Sequence, residues 1–113
     1  MDRNKSNLED IKQEDVVIDI KGKSMIVSFN MNALAELEER YGDVECGAKE
    51  LEKGKIKDIR TFLWAALLVN DDNLTEKDVG KLIDITNIKD VVDAINKSFF
   101  GALPDPNETP SKT

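Results

Sequence analysis

Val16-Val17-Ile18-Asp19-Ile20-Lys21-Gly22-Lys23-Ser24-Met25-Ile26-Val27-Ser28-Phe29 is the stretch whose reading decides the fold. Its opening run is β-branched apart from Asp19, and such residues suit a pleated, half-buried surface. Lys21-Gly22-Lys23 follows, with a glycine free to take positive φ in a turn. The second run alternates. Met25, Val27 and Phe29 fall on one face; Ser24, Ile26 and Ser28 fall on the other. The pattern predicts a β-hairpin over residues 16–29. A lone hairpin is marginal in water, so it must lie on something. The helices read after it are the expected support.

Asn30 or Asn32 is placed to cap the first helix, in which Leu34, Leu37 and Tyr41 form a stripe expected to face the hairpin. Gly42 is placed to stop it. Residues 43–55 read less clearly, with a short solvated helix expected from Ala48 to Lys53, ended by Gly54. Ile56 to Asn70 gives the strongest helical pattern. Ile56, Ile59, Leu63, Ala66 and Leu67 share one stripe, while Phe62, Trp64, Leu68 and Val69 carry apolar character round the rest. A helix apolar on most sides is central to its fold or has a second face for a partner. Thr75-Glu76-Lys77-Asp78 reads as a capping-box variant ahead of a short helix carrying Val79, Leu82 and Ile83. Thr86 or Asn87 is placed to cap the last helix, where Ile88, Val91, Val92, Ile95 and Phe99 hold helical spacing up to about Phe100, with Gly101 to end it. The fold class expected is α+β, mainly α: an N-terminal hairpin on a bundle of about four to five helices.

Outside this region the pattern lapses. Residues 1–15 are polar and read as a flexible arm, with only Leu8 and Ile11 as hydrophobes before the hairpin. A single globular domain is expected over 16–103, with its helices within 31–101. Residues 104–113 hold three prolines and no apolar periodicity, so they read as a disordered tail.

The chain of 113 residues is 35% charged with a net charge of −7. That balance repels phosphates and anionic membranes, so neither nucleic acid nor membrane is an expected partner. Aromatics are only 5%, so the core should be built mainly from Leu, Ile, Val and Ala. No signal peptide is read at the N-terminus, and the longest apolar run, Phe62 to Val69, is too short to span a bilayer. A cytoplasmic protein is expected.

The residues offer little for chemistry. There is no histidine, the commonest general base and metal ligand. Cys46 is the only cysteine, with nothing to activate it, and reads as a small buried or half-buried side chain. The six glycines are isolated, each read at an element end, so no phosphate loop forms. Asp71-Asp72-Asn73 fails as a calcium loop, because Glu76 stands where the sixth-position glycine belongs and Leu82 where the glutamate belongs. No catalytic residue, metal site or cofactor is expected.

The informative residues are apolar. Trp64 lies roughly 80–100° round its helix from the main stripe. It reads either as core under the hairpin or as an anchor for a partner, since tryptophan is enriched in binding hot spots. Phe99-Phe100 poses the same choice: Phe99 continues the inward stripe, while Phe100 is left over. Phe100, Phe99, Trp64 and Leu68 are the candidate partner-binding residues.

Three segments resemble a known pattern. Phe29 to Gly42 contains Asn32-Ala33-Leu34-Ala35-Glu36-Leu37-Glu38-Glu39-Arg40-Tyr41-Gly42. It resembles the asparagine-led helix, N-A-L-x-x-L-E-E-x-x-G, of small tail assembly chaperones of long-tailed phages and gene transfer agents. Arg60-Thr61-Phe62-Leu63-Trp64-Ala65-Ala66-Leu67 is similar to that family's R-x-L-L-W-A-G-L helix, with Ala66 where glycine is frequent. Leu74-Thr75-Glu76-Lys77-Asp78-Val79-Gly80-Lys81-Leu82-Ile83-Asp84 is similar to its L-T-x-E-x-V-G-x-L-I-D. The likeness covers roughly residues 16–100, while residues 43–55 match nothing in the pattern. The resemblance implies a protein that binds the tape measure protein in the bacterial cytoplasm and shields it until the tail tube polymerises. It also implies absence from the mature virion, and a frameshifted longer form that recruits the tail tube protein.

Other readings remain open at this point. A small virion component such as a head–tail connector would be found in purified particles. An acidic DNA mimic would need carboxylates spaced like phosphates, but acids and bases are interspersed, as in Glu50-Leu51-Glu52-Lys53. A regulatory subunit would co-purify with a catalytic chain.

Overall fold

A computed structural model of the chain describes residues 15–102. The arm expected over 1–15, apart from Asp15, and the tail expected over 104–113 lie outside the described residues. The chain forms an antiparallel hairpin and then five helices, so the α+β, mainly α, class holds.

Strands β1 (Val16–Ile20) and β2 (Lys23–Val27) pair with Ile20 opposite Lys23 and Val16 opposite Val27. The turn is therefore Lys21-Gly22 alone. Both residues take positive φ, 50° and 81°, as a type I′ hairpin turn requires. Ile20, Met25, Val27 and Phe29 are buried as the alternation predicts, while Val17 and Ile26, paired across the outer face, are exposed. The outer edge of β2 is closed by one side chain. Ile26 N–H donates to Asn70 Oδ1 (3.0 Å), and Asn70 Nδ2 donates back to Ile26 O (2.8 Å). The amide thus stands in for a neighbouring strand.

Helix α1 (Met31–Tyr41) is capped by Asn30, whose Oδ1 accepts from Ala33 N–H at 3.0 Å. Gly42 ends it at φ 93°, donating to Glu38 O. The α1 stripe faces α2 (Val44–Glu52) and α3 (Ile56–Leu67), not the hairpin as expected. The hairpin's inner face is already taken by α3 and α5 (Ile88–Ala102). Helix α2 starts four residues before the expected Ala48, because Asp43 caps it by accepting from Cys46 N–H at 2.7 Å. Gly47 lies inside α2, and Gly101 lies inside α5, so glycines do not all mark element ends.

Helix α3 stops at Leu67, short of the expected Asn70, and Asn70 N–H closes the last turn on Leu67 O. It is the central helix. Ile59, Phe62, Leu63, Ala65, Ala66 and Leu67 are all buried, so the hairpin, α1 and α5 absorb most of its apolar surplus. Helix α4 spans only Glu76–Gly80, behind the Thr75–Asp78 capping box expected from sequence. Leu82 and Ile83 fall in the turns after it. Neither Thr86 nor Asn87 caps α5 with its side chain. Asn87 instead fastens the preceding turn, accepting from Asp84 N–H and donating to Leu82 O.

The core is largely aliphatic, as expected, but it is centred on aromatics. Phe29, Phe62 and Phe99 touch one another with ring centroids 5.1–6.1 Å apart.

Candidate partner-binding surface

Of the four candidate residues, Phe99 is core. It is fully buried against Phe29 and Phe62, and does not reach a partner. Phe100, one residue on, is 44% exposed and rests edge-on against the Phe99 ring. Trp64 is half-buried and packs against the edge of the core. Its Nε1–H donates to Leu74 O at 2.8 Å, and the Arg40 guanidinium stacks 4.7 Å from its ring centroid. With its polar atom paired and its face covered by a cation, it is mostly spoken for. Leu68 is half-buried and lines a depression with Asn30, Ala35 and Val69. Phe100 lines a different one, with Leu51, Val92 and Ile95. The candidates therefore do not converge on one site.

A larger apolar groove lies elsewhere. It has a volume of about 430 Å³ and is walled by Ile56, Ile59, Ile83, Ile85 and Ile88, with Arg60 and Asp84 at its polar margin. Ile56 is 65% exposed and Ile85 90% exposed. Ile59 is also a wall of the Phe100 depression, so the two grooves adjoin. Three separate segments supply this surface: the first turn of α3, the 81–87 connection and the first turn of α5. By helical spacing Ile56 and Ile88 fall on inward stripes, and Ile85 belongs to none. The one available signal was an isoleucine alone between Asp84 and Thr86 in a connecting segment.

A polar pocket, also unforeseen, opens beside it, lined by Arg40, Tyr41, Asp58, Arg60, Thr61 and Glu76. Asp58 is almost wholly buried in the first turn of α3. Its Oδ1 accepts from Tyr41 O–H at 2.7 Å, while Oδ2 has no partner among the described residues. Burial and the neighbouring Asp58 carboxylate push the Tyr41 phenol well above its usual pKa. Burial also tends to raise Glu76, but hydrogen bonds from Thr61 and Arg40 outweigh it and hold this carboxyl below the usual glutamate range. Both shifts lead away from pH 7, so there Tyr41 is a fixed neutral phenol and Glu76 a fixed carboxylate. Cys46 is exposed, contrary to expectation, and Asp43 beside it pushes the thiol pKa up, away from a reactive thiolate. Among the described residues no three potential ligands are grouped to hold a metal ion. No described helix is long and apolar enough to cross a membrane.

No family model matches the chain, and no similar curated protein or solved structure is found.

Proposed function

We propose that the chain is a phage or prophage tail assembly chaperone, which binds the tape measure protein in the bacterial cytoplasm and keeps it soluble until the tail tube forms. The observation that carries this reading is the exposed isoleucine groove beside Phe100, on a chain otherwise richly charged. A long helical client awaiting assembly presents an apolar stripe, and an open apolar groove is the surface that would cover it. The three motif segments and the order of hairpin and helices agree with the family resemblance. In this reading the finished particle lacks the chain, and a longer frameshifted form would bring in the tail tube protein.

Co-expression tests it. Alone, the tape measure protein encoded beside this chain should be mainly insoluble; with the chain it should remain in the supernatant and co-purify. Mass spectrometry of purified particles should then find no trace of the chain. Stoichiometric chain in the particles would establish a virion component instead, and failure to bind any tail protein would sink the chaperone reading.

A further inference from the structure

The hairpin has two edges, and they are treated differently. Ile20 and Lys23 face each other across the two-residue turn, so they exchange backbone hydrogen bonds. Such pairs alternate along an antiparallel ladder. Ile18–Met25 therefore bonds in the same way, while Asp19–Ser24 and Val17–Ile26 do not. The backbone N–H and C=O of those last four residues point outward, away from the hairpin. On the β2 side Asn70 takes both groups of Ile26. On the β1 side the N–H and C=O of Val17 and of Asp19 meet no partner among the described residues.

The side chains at this edge are also partly uncovered. On the inner face Ile20, Met25 and Val27 are buried, but Val16 and Ile18 are only half-buried, although α5 lies against β1. On the outer face Val17 is 67% exposed, and by alternation it stands in one row between Asp15 and Asp19. Neither carboxylate forms an ion pair among the described residues, and the residue across from Asp19 is the neutral Ser24.

We propose that β1 takes up an added strand from another protein, an extended cationic segment with apolar residues at alternate positions. Its backbone completes the ladder at Val17 and Asp19. Its inward apolar side chains cover Val16 and Ile18. Its outward Lys or Arg side chains stand beside Asp15 and Asp19, where opposite charges across a strand pair are stabilising. The net charge of −7 attracts the same partner at longer range. A second copy fits less well. Its β1 would bring a matching row of carboxylates alongside Asp15 and Asp19, and its α5 would press on the first, because α5 lies against β1. None of the walls of the isoleucine groove comes from β1, so this surface is independent of the one on which the chaperone reading rests.

The test uses the full chain and three synthetic peptides of one length. Two of them alternate valine with lysine or with glutamate. The third is the lysine peptide with the backbone amide of every lysine methylated, which removes the donors facing β1 and keeps the charge. Fluorescence anisotropy at low salt should show the lysine peptide binding about tenfold or more tightly than the glutamate peptide, a preference that shrinks at about 0.5 M salt. Methylation should weaken binding about tenfold or more. Amide hydrogen exchange at Val17 and Asp19 should slow when the lysine peptide is bound. Asp19→Asn should remove much of the preference for lysine. Val17→Pro deletes one outward N–H at an edge position where proline is tolerated, so the melting temperature should hold while binding falls. Equal binding, a preference for glutamate, binding that survives methylation, or protection at the isoleucine groove instead of β1 would each overturn the proposal. Slow exchange at Val17 and Asp19 in the free monomer would show the edge covered by the chain itself, and a dimer in sedimentation that Val17→Pro disperses would put a second copy there; either result overturns it too. If Val17→Pro fails to fold, the methylated peptide decides alone. Failure of the peptide test leaves the chaperone reading intact, and failure of the co-expression test leaves this edge intact.

Discussion

Successive residues on a helix point about 100° apart, so Phe99 and Phe100 cannot share an environment. Phe99 completes the aromatic cluster with Phe29 and Phe62, and nothing of it reaches solvent. Phe100 keeps one edge on Phe99, at 5.0 Å between centroids, and leaves the rest open. The energetic consequences differ accordingly. Phe99→Ala should cost about 3–5 kcal/mol of stability, because it opens a cavity where two other rings meet. Phe100→Ala should cost only about 0.5–1.5 kcal/mol, the scale of one aromatic pair. Urea unfolding of the two variants measures the difference, and equal losses would mean that Phe100 is core after all. Trp64 falls between them: it is half-buried, and its indole spans a backbone carbonyl and a guanidinium.

At the scale of elements, Gly47 locks α1, α2 and α3 together. A Cβ there would stand 3.0 Å from Tyr41 Cδ2 and 3.4 Å from Phe62 Cζ. Neither ring is free to retreat, because Tyr41 is tied to Asp58 and Phe62 is in the core cluster. Gly47→Leu should therefore lose about 1–3 kcal/mol to overpacking, despite leucine's better helix propensity. Thermal melts compare it with a leucine at exposed Gly54, where no atom lies within 4 Å but φ is 74°. If Gly54→Leu proves the more harmful of the two, backbone strain outranks packing and the account of Gly47 fails. Local signals were legible in the sequence. The hairpin alternation, the Asn30 cap and the Thr75–Asp78 box each act within a few residues. Non-local facts were not. Asp43 looked like loop because it follows a stop glycine directly, and Gly47 looked like punctuation because its neighbours come from α1 and α3. Asp58 is buried by a tyrosine 17 residues away. The isoleucine groove is assembled from three segments, none of which shows on its own that its isoleucines remain uncovered.

For the molecule as a whole, charge sets the response to pH, and the sign can be worked out group by group. Glu76, Asp78 and Asp84 are all held below the ordinary carboxylate range, Asp84 down to about 2 by hydrogen bonds from Thr86 and Lys21. A carboxyl with a lowered folded pKa stabilises the fold above its unfolded value, and that stability is lost as pH falls through the folded value. Stability should accordingly decline from about pH 4.5 towards pH 2. Tyr41 has the opposite shift: burial and Asp58 raise its pKa, so its contribution is complete below its unfolded value near 10 and is lost above it. Between these limits the chain has no histidine to titrate. The melting temperature at constant ionic strength should therefore be flat from about pH 6 to 8 and fall on both sides. Two variants assign the limbs. Glu76→Gln should flatten part of the acid limb. Tyr41→Phe should flatten the alkaline limb and, at neutral pH, cost about 1.5–3 kcal/mol, because the Asp58 carboxylate loses a buried hydrogen bond. An alkaline limb unchanged in Tyr41→Phe would place that loss in other groups, and a step in stability between pH 6 and 8 would require a titrating group that this distribution of charges does not contain.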